Sequence, residues 1–387
     1  MDRPRYCIWG SELSPFSLKL RALFDFAGLP YTWLPADGGR LHNYRVLWLI
    51  NRAKRRRTVA RYPQLTGLDE YPLMPFLVED YRQVSYDSSA LARWIDNEHR
   101  PRRGALFPED AALGFIAQLV DEAFDEFGLY MVHHNRWVVS ATTNDAGARL
   151  AQEFACVLPP GVGGRFAHRF AQRQVRRLPY LFSVAPPGFA MAGLAPELKP
   201  PSRDGFPETH QLLAEAWAAY LSGMETVLTH QPYLLGDRFT IADASAYGQL
   251  GMNLKDPTAA EDIRNRAPTT YRWLCAIRDG EHVEAGHDAL HLDDALQPLL
   301  ESIGRTFVRL MRQNEVAYEA ARERSETVFN EPAFDQGRAL YDGELLGRPF
   351  RSVVKTFQVR VWREIKTTWG TLPPAARQRV APLLAAQ

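Results

Sequence analysis

A strand, a capped helix and a second strand follow one another at the N-terminus, and this order restricts the fold more than any other feature of the chain. The run "RYCIWG" at residues 5–10 is short, apolar and ended by glycine, which predicts a strand. Ser14 suits the N-cap of the following helix and Pro15 its first turn, because the N–H that proline lacks would have no partner there. Gly28 is placed to end that helix, and "YTWL" at residues 31–34 favours a second strand.

The remainder of the first hundred residues continues this mixed pattern. A basic helical segment covers residues 43–62, two short strands are predicted at 75–80 and 81–86, and a helix is predicted at 88–99. The order of elements is then β-α-β-α-β-β-α. It predicts a small domain built on a mixed sheet, over residues 1–100.

After a linker, the chain reads as mostly helical. Residues 111–132 predict a long amphipathic helix, whose acids Asp121, Glu122, Asp125 and Glu126 alternate with apolar positions. We assign residues 108–290 to a helical domain, with an insertion at about 157–207 that is rich in proline and glycine and contains one helix.

The last part of the chain, residues 291–387, predicts a further helical extension. Its pattern indicates a helix over 298–329, a hairpin over 339–352, and a final helix through Val354, Trp362 and Ile365. The fold class expected for the whole chain is therefore α+β, with a small mixed-sheet domain followed by helices.

Composition and charge exclude several classes of protein. Of the 387 residues, 46% are hydrophobic and 24% are charged, as in soluble globular proteins. The net charge of +1 gives no drive toward nucleic acid or a membrane surface. The three cysteines lie far apart without a C-x-x-C spacing, so we predict no disulfide framework and no metal site. Because no apolar run has the length of a signal peptide or a membrane span, a reducing, cytoplasmic location is expected.

Three short motifs stand where backbone groups could meet a ligand. A helix N-terminus carries unpaired N–H groups and a partial positive charge, so Ser14 can help to hold a thiolate, a phosphate or a carboxylate. Met74 and Pro75 open a strand, and a cis bond there would expose the Met74 backbone. Asp87 and Ser88 begin the next helix and could bind the charged end groups of an amino acid. The alternatives are two plain helix caps and an ordinary trans proline.

In this order, the motifs resemble one family. The succession of strand, S-P-F helix, strand, M-P strand and D-S helix resembles the thioredoxin-like N-terminal domain of the glutathione transferase superfamily. The segment "YLLGDRFTIADASAYG" at 233–248 resembles that superfamily's C-terminal signature, in which Thr240 and Asp243 form a capping box. The resemblance covers roughly residues 5–100 and 210–280. It implies a thioredoxin-like domain followed by an all-α transferase domain, here with extra helices.

The resemblance implies a role for each motif, with glutathione as the co-substrate. Ser14 would donate its hydroxyl to the glutathione sulfur, as in serine-type classes such as tau, which share the S-P-F pattern. The backbone of Met74, before Pro75, would pair with the cysteinyl part. Asp87 and Ser88 would hold the γ-glutamyl end. The family usually has glutamate before this serine, and aspartate is one methylene shorter.

The region after the first long helix of the second domain borders the co-substrate pocket in this superfamily. His133, His134 and Trp137, together with Arg136, are therefore candidates to contact a hydrophobic electrophile, although an ordinary polar helix end explains them equally well. Relatives are commonly homodimers, and the C-terminal extension leaves open whether this chain keeps that interface. Nucleic acid and membrane partners are not expected.

Three functions fit these observations. The first is a glutathione transferase that stabilises the thiolate through Ser14, and conjugation is then the simplest reaction. The second is a binding or scaffold protein with the same fold and no catalysis. The third is a lyase or isomerase that uses glutathione. Disulfide reduction is disfavoured, because thiol-exchange relatives carry cysteine where Ser14 stands.

Overall fold

The N-terminal domain is built on a four-stranded mixed sheet. A computed structural model describes residues 5–60, 67–68, 73–101, 103–283 and 289–384. The strands lie in the order β2-β1-β3-β4, with β1 parallel to β2 and antiparallel to β3, and with β3 antiparallel to β4. They are β1 (Tyr6–Trp9), β2 (Tyr31–Leu34), β3 (Phe76–Glu79) and β4 (Gln83–Tyr86). The predicted strands and their mixed character are confirmed.

Three helices cover this sheet, and their ends follow the predicted signals. Helix α1 begins after Ser14, which caps it, and ends at Gly28 in the left-handed conformation, with φ 66°. Asp87 caps the third helix through a 3.1 Å bond from the N–H of Ala90 to its Oδ1. The Met74–Pro75 peptide is cis, as is Leu34–Pro35, which the sequence analysis did not anticipate. The helices are α1 (Pro15–Ala27), α2 (Arg40–Arg56) and α3 (Ser88–Glu98).

The second part of the chain is helical, and π-helical turns at Phe124–Gly128 and Asn135–Val139 continue its first helix. The predicted insertion contains one α-helix, α7. Thr240 and Asp243 form the predicted capping box of α9. The helices are α4 (Ala111–Ala123), α5 (Leu129–His134), α6 (Ala146–Glu153), α7 (Gly163–Arg176), α8 (His210–His230), α9 (Ile241–Met252), α10 (Pro257–Arg266) and α11 (Pro268–Arg278).

The C-terminal extension contains a hairpin as well as helices. The predicted helix over 298–329 is wrong in its extent: a π-helical turn at Gly304–Val308 interrupts it, and it ends at Glu323, before Ser325 takes a left-handed φ of 61°. The elements are α12 (Gln297–Ile303), α13 (Arg309–Glu323), α14 (Asn330–Asp335), β5 (Leu340–Leu345), β6 (Arg348–Val353), α15 (Thr356–Thr371) and α16 (Pro374–Leu384).

One hydrophobic core joins the three parts of the chain. It includes Phe24 of α1, Tyr220 of α8 and Val361 of α15, each fully buried. The interface between the N-terminal domain and the helices depends on Gly248 of α9, because a Cβ there would lie 2.6 Å from the carbonyl oxygen of Pro15. Helix α1 can therefore approach α9 closely, and this packing sets the position of the α1 N-terminus.

The helix expected over 111–132 is present as α4, the π-helical turn that follows it and α5, but the acids expected on its polar face are not exposed to solvent. Asp121, Glu122, Asp125 and Glu126 are all buried, with exposed fractions between 1% and 9%. Other parts of the chain cover the face of α4 on which these acids lie, among them α1 and α15. The cations on those helices meet the acids below the surface, so the charged stripe belongs to the interior of the protein.

Within the described ranges, no helix combines the length and the apolar character that a bilayer span requires. In the same ranges, no three histidine, cysteine, aspartate or glutamate side chains cluster in a way that could hold a metal ion.

Candidate functional site

A cavity of about 390 Å³ lies where the N-terminal domain, the helical domain and the C-terminal extension meet. Its volume is within the range of small-molecule sites in proteins. The walls come from the N-termini of α1 and α3, the loop before β3, helices α4, α5 and α7, and the start of α15. All five residues that the sequence analysis assigned to glutathione line it: Ser14, Met74, Pro75, Asp87 and Ser88.

Among Ser11, Ser14 and Ser17, Ser14 is the residue whose hydroxyl is left to donate. Its Oγ accepts a bond from the N–H of Ser17 at 3.4 Å, and no acceptor for its own proton lies among the described residues. Ser11 also lines the cavity, but its hydroxyl donates to the carboxylate of Glu153. Ser17 is fully buried, and its Oγ accepts from the N–H of Ser11 at 3.3 Å. The geometry therefore favours Ser14 over the two neighbouring serines.

Arg136 holds the Ser14 loop against the helical domain. Its Nη1 donates to the carbonyl oxygen of Leu13 at 2.9 Å, and its Nη2 donates to the carbonyl oxygen of Met252 at 3.0 Å. Its Nε lies 2.9 Å from both carboxylate oxygens of Asp256, and the arginine is 3% exposed. A buried, paired guanidinium of this kind fixes the loop that carries Ser14 relative to the far wall of the cavity.

Asp87 meets a partner that the sequence analysis did not identify. Its Oδ2 lies 3.6 Å from Nη2 of Arg360, at the start of α15, and both side chains are less than 10% exposed. Ser88 is 4% exposed and begins α3. The predicted amino-acid end of the site is thus enclosed by the C-terminal extension.

Of the three residues predicted to contact the electrophile, two line the cavity and one does not. His133 and Trp137 line the cavity, whereas His134 is not on its wall and shares a 2.8 Å hydrogen bond with the hydroxyl of Ser183. His133 shares a 3.2 Å bond with Gln174 through Nε2, and burial lowers the pKa of His133 to about 3. The imidazole of His133 is therefore uncharged at neutral pH and is not a ready proton acceptor.

A group of buried charges lies beneath α1 and α3, and its members Glu122 and Asp125 line the cavity together with Ser89. Nζ of Lys19 lies 2.5 Å from Oδ1 of Asp121, 2.6 Å from Oδ2 of Asp125 and 2.7 Å from Oγ of Ser89. Burial and the neighbouring carboxylate of Asp121 raise the pKa of Glu122 well above its usual range. Burial likewise raises the pKa of Asp125 to about 6, and the cation of Lys19 opposes that rise.

Three residues near the start of α15 complete the wall, and the sequence analysis missed them. Lys355 donates from Nζ to the carbonyl oxygen of Tyr180 at 3.0 Å and to the hydroxyl of Tyr130, and Gln358 donates to the same hydroxyl at 2.7 Å. Arg360 is the third. A helix that begins with lysine, glutamine and arginine beside apolar residues gives no local sign that its polar side chains point inward.

The cavity has chemically different parts. Hydroxyl and amide groups at the N-termini of α1 and α3 suit anionic ligand groups. The acids of α4 suit a cation. Trp137, Phe170 and Leu181 provide apolar contact on the side of α5 and α7, next to the polar group of Tyr130 and Lys355. Such a site can hold a small peptide that carries both charges, with a second molecule beside it.

Comparison with known proteins gives one family match. Residues 182–274 match the model of the glutathione S-transferase C-terminal domain, which supports the resemblance over that part of the chain. None of the curated proteins matches the chain.

Several solved structures are similar to the chain. The beta-etherase LigF from Sphingobium sp. strain SYK-6 is 15% identical, with 77% of this chain and 99% of that chain covered and a TM-score of 0.43. A glutathione S-transferase from Rhodospirillum rubrum F11 is 15% identical, with 76% and 91% covered and a TM-score of 0.38. One from Methylobacterium radiotolerans, in complex with glutathione sulfonate, is 18% identical, with 75% and 98% covered and a TM-score of 0.36.

Proposed function

We propose that the chain is a glutathione-dependent transferase in which the hydroxyl of Ser14 stabilises the glutathione thiolate. One observation carries the proposal. Ser14, Met74 and Asp87 belong to three motifs that are far apart in the sequence, and all three line a single cavity of about 390 Å³. A ligand with a thiol, a peptide backbone and an α-amino acid end can use all three at once.

The magnitude of the thiolate effect is within the reach of one hydroxyl. A thiol titrates near 8.5, and lowering its pKa by about two units requires about 2.7 kcal/mol of preference for the anion. A hydrogen bond to a charged group supplies about 1.5–3 kcal/mol, and a helix N-terminus adds about 0.3–1 kcal/mol. Ser14 therefore acts as a hydrogen-bond donor, and neither a base nor a covalent intermediate on Ser14 is needed.

The rest of the cavity then positions the two substrates. The Met74 backbone pairs with the cysteinyl part of glutathione, and Ser88 with Asp87 holds its γ-glutamyl end. The thiolate attacks an electrophilic carbon held near Trp137, a carbon–sulfur bond forms, and the leaving group departs with its electron pair. A mainly hydrophobic electrophile with one polar group suits this wall, since Tyr130 and Lys355 lie beside the apolar side chains.

The first experiment compares Ser14→Ala with the natural protein. Loss of the hydroxyl should raise the pKa of bound glutathione by about one to two units. Thiolate absorbance of the complex, followed against pH, measures this shift. Because Ser14 also caps α1, the variant should lose about 1 kcal/mol of stability and still fold.

The matched control is Ser14→Thr, which keeps a hydroxyl at the same N-cap and should keep most of the shift. Unchanged thiolate absorbance in Ser14→Ala contradicts the role of the hydroxyl. If the well-folded natural protein fails to bind glutathione at millimolar concentration, a non-catalytic binding or scaffold protein becomes the better hypothesis. Product analysis distinguishes conjugation from lyase or isomerase chemistry.

Two further parts of the proposal concern setting and assembly. A reducing, cytoplasmic location is the expected setting for this chain, whose three cysteines are free. A homodimer is the expected assembly, and light scattering of the purified protein measures its mass in solution directly.

A further inference from the structure

More carboxyl groups than basic groups lie at and just behind the end of the cavity between α3, α4 and α15. Its carboxylates are those of Asp87, Asp121, Glu122 and Asp125, and its cations are Lys19 and Arg360. Two bases can compensate at most two of these four carboxyl groups. Buried carboxylates are costly unless a cation or a hydrogen-bond donor compensates them.

Two of these acids have acceptor capacity that the protein leaves unused. Oδ1 of Asp125 is buried and has no hydrogen-bond partner among the described residues, while Oδ2 is shared by Lys19 and Ser89. The carboxylate of Glu122, 7% exposed, accepts no hydrogen bond from the described residues. Both residues line the cavity. An ammonium group, which offers three donors and one positive charge, matches what they lack.

The opposite side of the same end suits a carboxylate. Ser88 opens α3, an eleven-residue helix whose first turn presents N–H groups and a partial positive charge. Arg360 of α15 lies next to it, with its Nη2 3.6 Å from Oδ2 of Asp87. An anion at the start of α3 would therefore lie between a helix terminus and a guanidinium.

We propose that this end of the cavity binds a free α-amino acid group, with its ammonium at Glu122 and Asp125 and its carboxylate at Ser88 and Arg360. The C-terminal extension then supplies one wall of the binding site and does more than cover the helical domain. The inference rests on the proposed function, in which that group is the γ-glutamyl end of glutathione. It assigns recognition of the ammonium to α4, and it requires a ligand whose α-amino group is unmodified.

The electrostatics at this end of the cavity agree with this assignment. Burial raises the pKa values of both Glu122 and Asp125, as expected of carboxyl groups removed from water, although the cation of Lys19 opposes the rise at Asp125. The groups that face them are Lys19 of α1, Asp87 and Ser89 of α3, Asp121 of α4 and Arg360 of α15. An arriving ammonium favours the charged form of the acids, so binding should release protons.

The test uses S-methylglutathione, which has no ionisable thiol, and the same compound acetylated on its α-amino group. In the natural protein, acetylation should weaken binding about tenfold or more, because it removes a charge-assisted interaction. In Glu122→Gln and Asp125→Asn, the unmodified ligand should bind more weakly. The acetylation penalty, which is the ratio of the dissociation constants of the acetylated and unmodified ligands, should be smaller than in the natural protein. Calorimetry gives the four dissociation constants of each cycle.

Arg360 is tested with a ligand whose γ-glutamyl α-carboxylate is converted to an amide. This change should weaken binding to the natural protein about tenfold or more, and it should have little effect in Arg360→Gln. Arg360→Lys keeps the charge and should recover part of the affinity. Glu364→Gln is the matched control, because Glu364 contacts the same guanidinium at 2.6 Å with a side chain that is 44% exposed. That variant should bind as the natural protein does.

The outcomes separate this inference from the proposed function. If the natural protein binds S-methylglutathione and the acetylation penalty is the same in Glu122→Gln and Asp125→Asn, the assignment to α4 is wrong while the proposed function stands. An unchanged amide penalty in Arg360→Gln likewise excludes the role of the extension. If the natural protein binds neither glutathione nor its S-methyl derivative, both proposals fail.

Discussion

At the scale of single residues, Lys19 is the least expected feature of the site. It lies on α1, is fully buried, and contacts Asp121, Asp125 and Ser89 within 2.7 Å. Carboxylates around Lys19 raise its pKa although burial lowers it, so it is charged at every physiological pH. Its three partners lie on α3, on α4 and on the π-helical turn that follows α4. One ammonium group therefore joins the N-terminal domain to the helical domain.

Removing this cation should destabilise the whole protein. In Lys19→Met, Asp121 and Asp125 keep their buried charge without its partner, and the free energy of unfolding should fall by about 3–5 kcal/mol. Denaturant unfolding measures the change. The control is Arg149→Met, whose ion pair with Asp145 is exposed and should be worth less than about 1 kcal/mol. Equal stability of the two variants would contradict the structural role of Lys19.

The pKa of Asp125 predicts how ligand affinity depends on pH. In the empty protein, this carboxyl takes up a proton as the pH falls through about 6. A bound ammonium lowers that pKa, so the ligand competes with the proton, and affinity should rise as the pH increases through about 6. Glu122, whose pKa burial also raises, acts in the same direction.

S-methylglutathione is again the suitable probe, since its thioether does not titrate. Its dissociation constant, measured by calorimetry between pH 5 and pH 7.5, should fall by up to about tenfold per pH unit below the pKa. Asp125→Asn should flatten this profile. A profile that is flat already in the natural protein would show that neither acid changes its proton on binding.

At the scale of secondary structure, the contact between α1 and α9 determines where Ser14 lies. A Cβ on Gly248 would come within 2.6 Å of the Pro15 carbonyl oxygen and 2.8 Å of the Lys19 Cβ. Neither atom belongs to a flexible chain end that can move away. Because Pro15 directly follows Ser14, anything that separates these helices also displaces the hydroxyl from the cavity.

Gly248→Ala should therefore lower stability and weaken glutathione binding together. We expect a loss of about 1–3 kcal/mol, as is usual when an extra group is forced into a packed interface. Thermal unfolding and calorimetry measure the two effects. Gly164→Ala is the matched control, because nothing lies within 4 Å of its added Cβ and it is also in a helix. A Gly248→Ala protein with normal affinity would show that α1 tolerates the shift.

The sequence predicted those elements whose ends are fixed by local chemistry. The bounds of α1 follow from Ser14, Pro15 and Gly28, which act through backbone geometry within a few residues. The same holds for the capping box of α9. Burial of the α4 acids could not be predicted, because their cations come from Lys19, about a hundred residues earlier, and from Arg360, more than two hundred residues later. Only the tertiary fold brings these charges together.

The residues of the candidate site also fall into those that local sequence marks and those that only the tertiary fold brings together. Ser14, Met74 and Asp87 were identified because caps and a proline at a strand start leave a mark in the sequence. Lys355 and Arg360 were missed because nothing near them in the chain distinguishes an inward-pointing base from a solvated one. The sequence thus predicted cavity-lining residues that backbone conformation marks, and the structure added lining residues that come from distant parts of the chain.

At the scale of the whole molecule, the three parts of the chain are joined by buried contacts that would be costly in free energy to break. Lys19 joins α1 to α4 through two buried ion pairs. Arg360 brings α15 next to Asp87 at the start of α3, and the hydrophobic core runs without interruption through all three parts. Opening any one part would expose core surface and leave buried charges without partners, so none should unfold ahead of the others.

Native-state hydrogen exchange tests this expectation. Buried amides of α1, α8 and α15 should exchange with the same free energy, equal to that of global unfolding, because each helix contributes to the shared core. Helix α2 is the internal control: Leu41 and Trp48 are 88% and 57% exposed, and it packs on the other face of the sheet, so its amides should exchange earlier. If α15 opens at a clearly lower free energy than α8, the extension is an independent unit. Arg360 would then leave the cavity wall whenever α15 opens. In that case, saturating glutathione should raise the free energy of exchange of the α15 amides to that of the core.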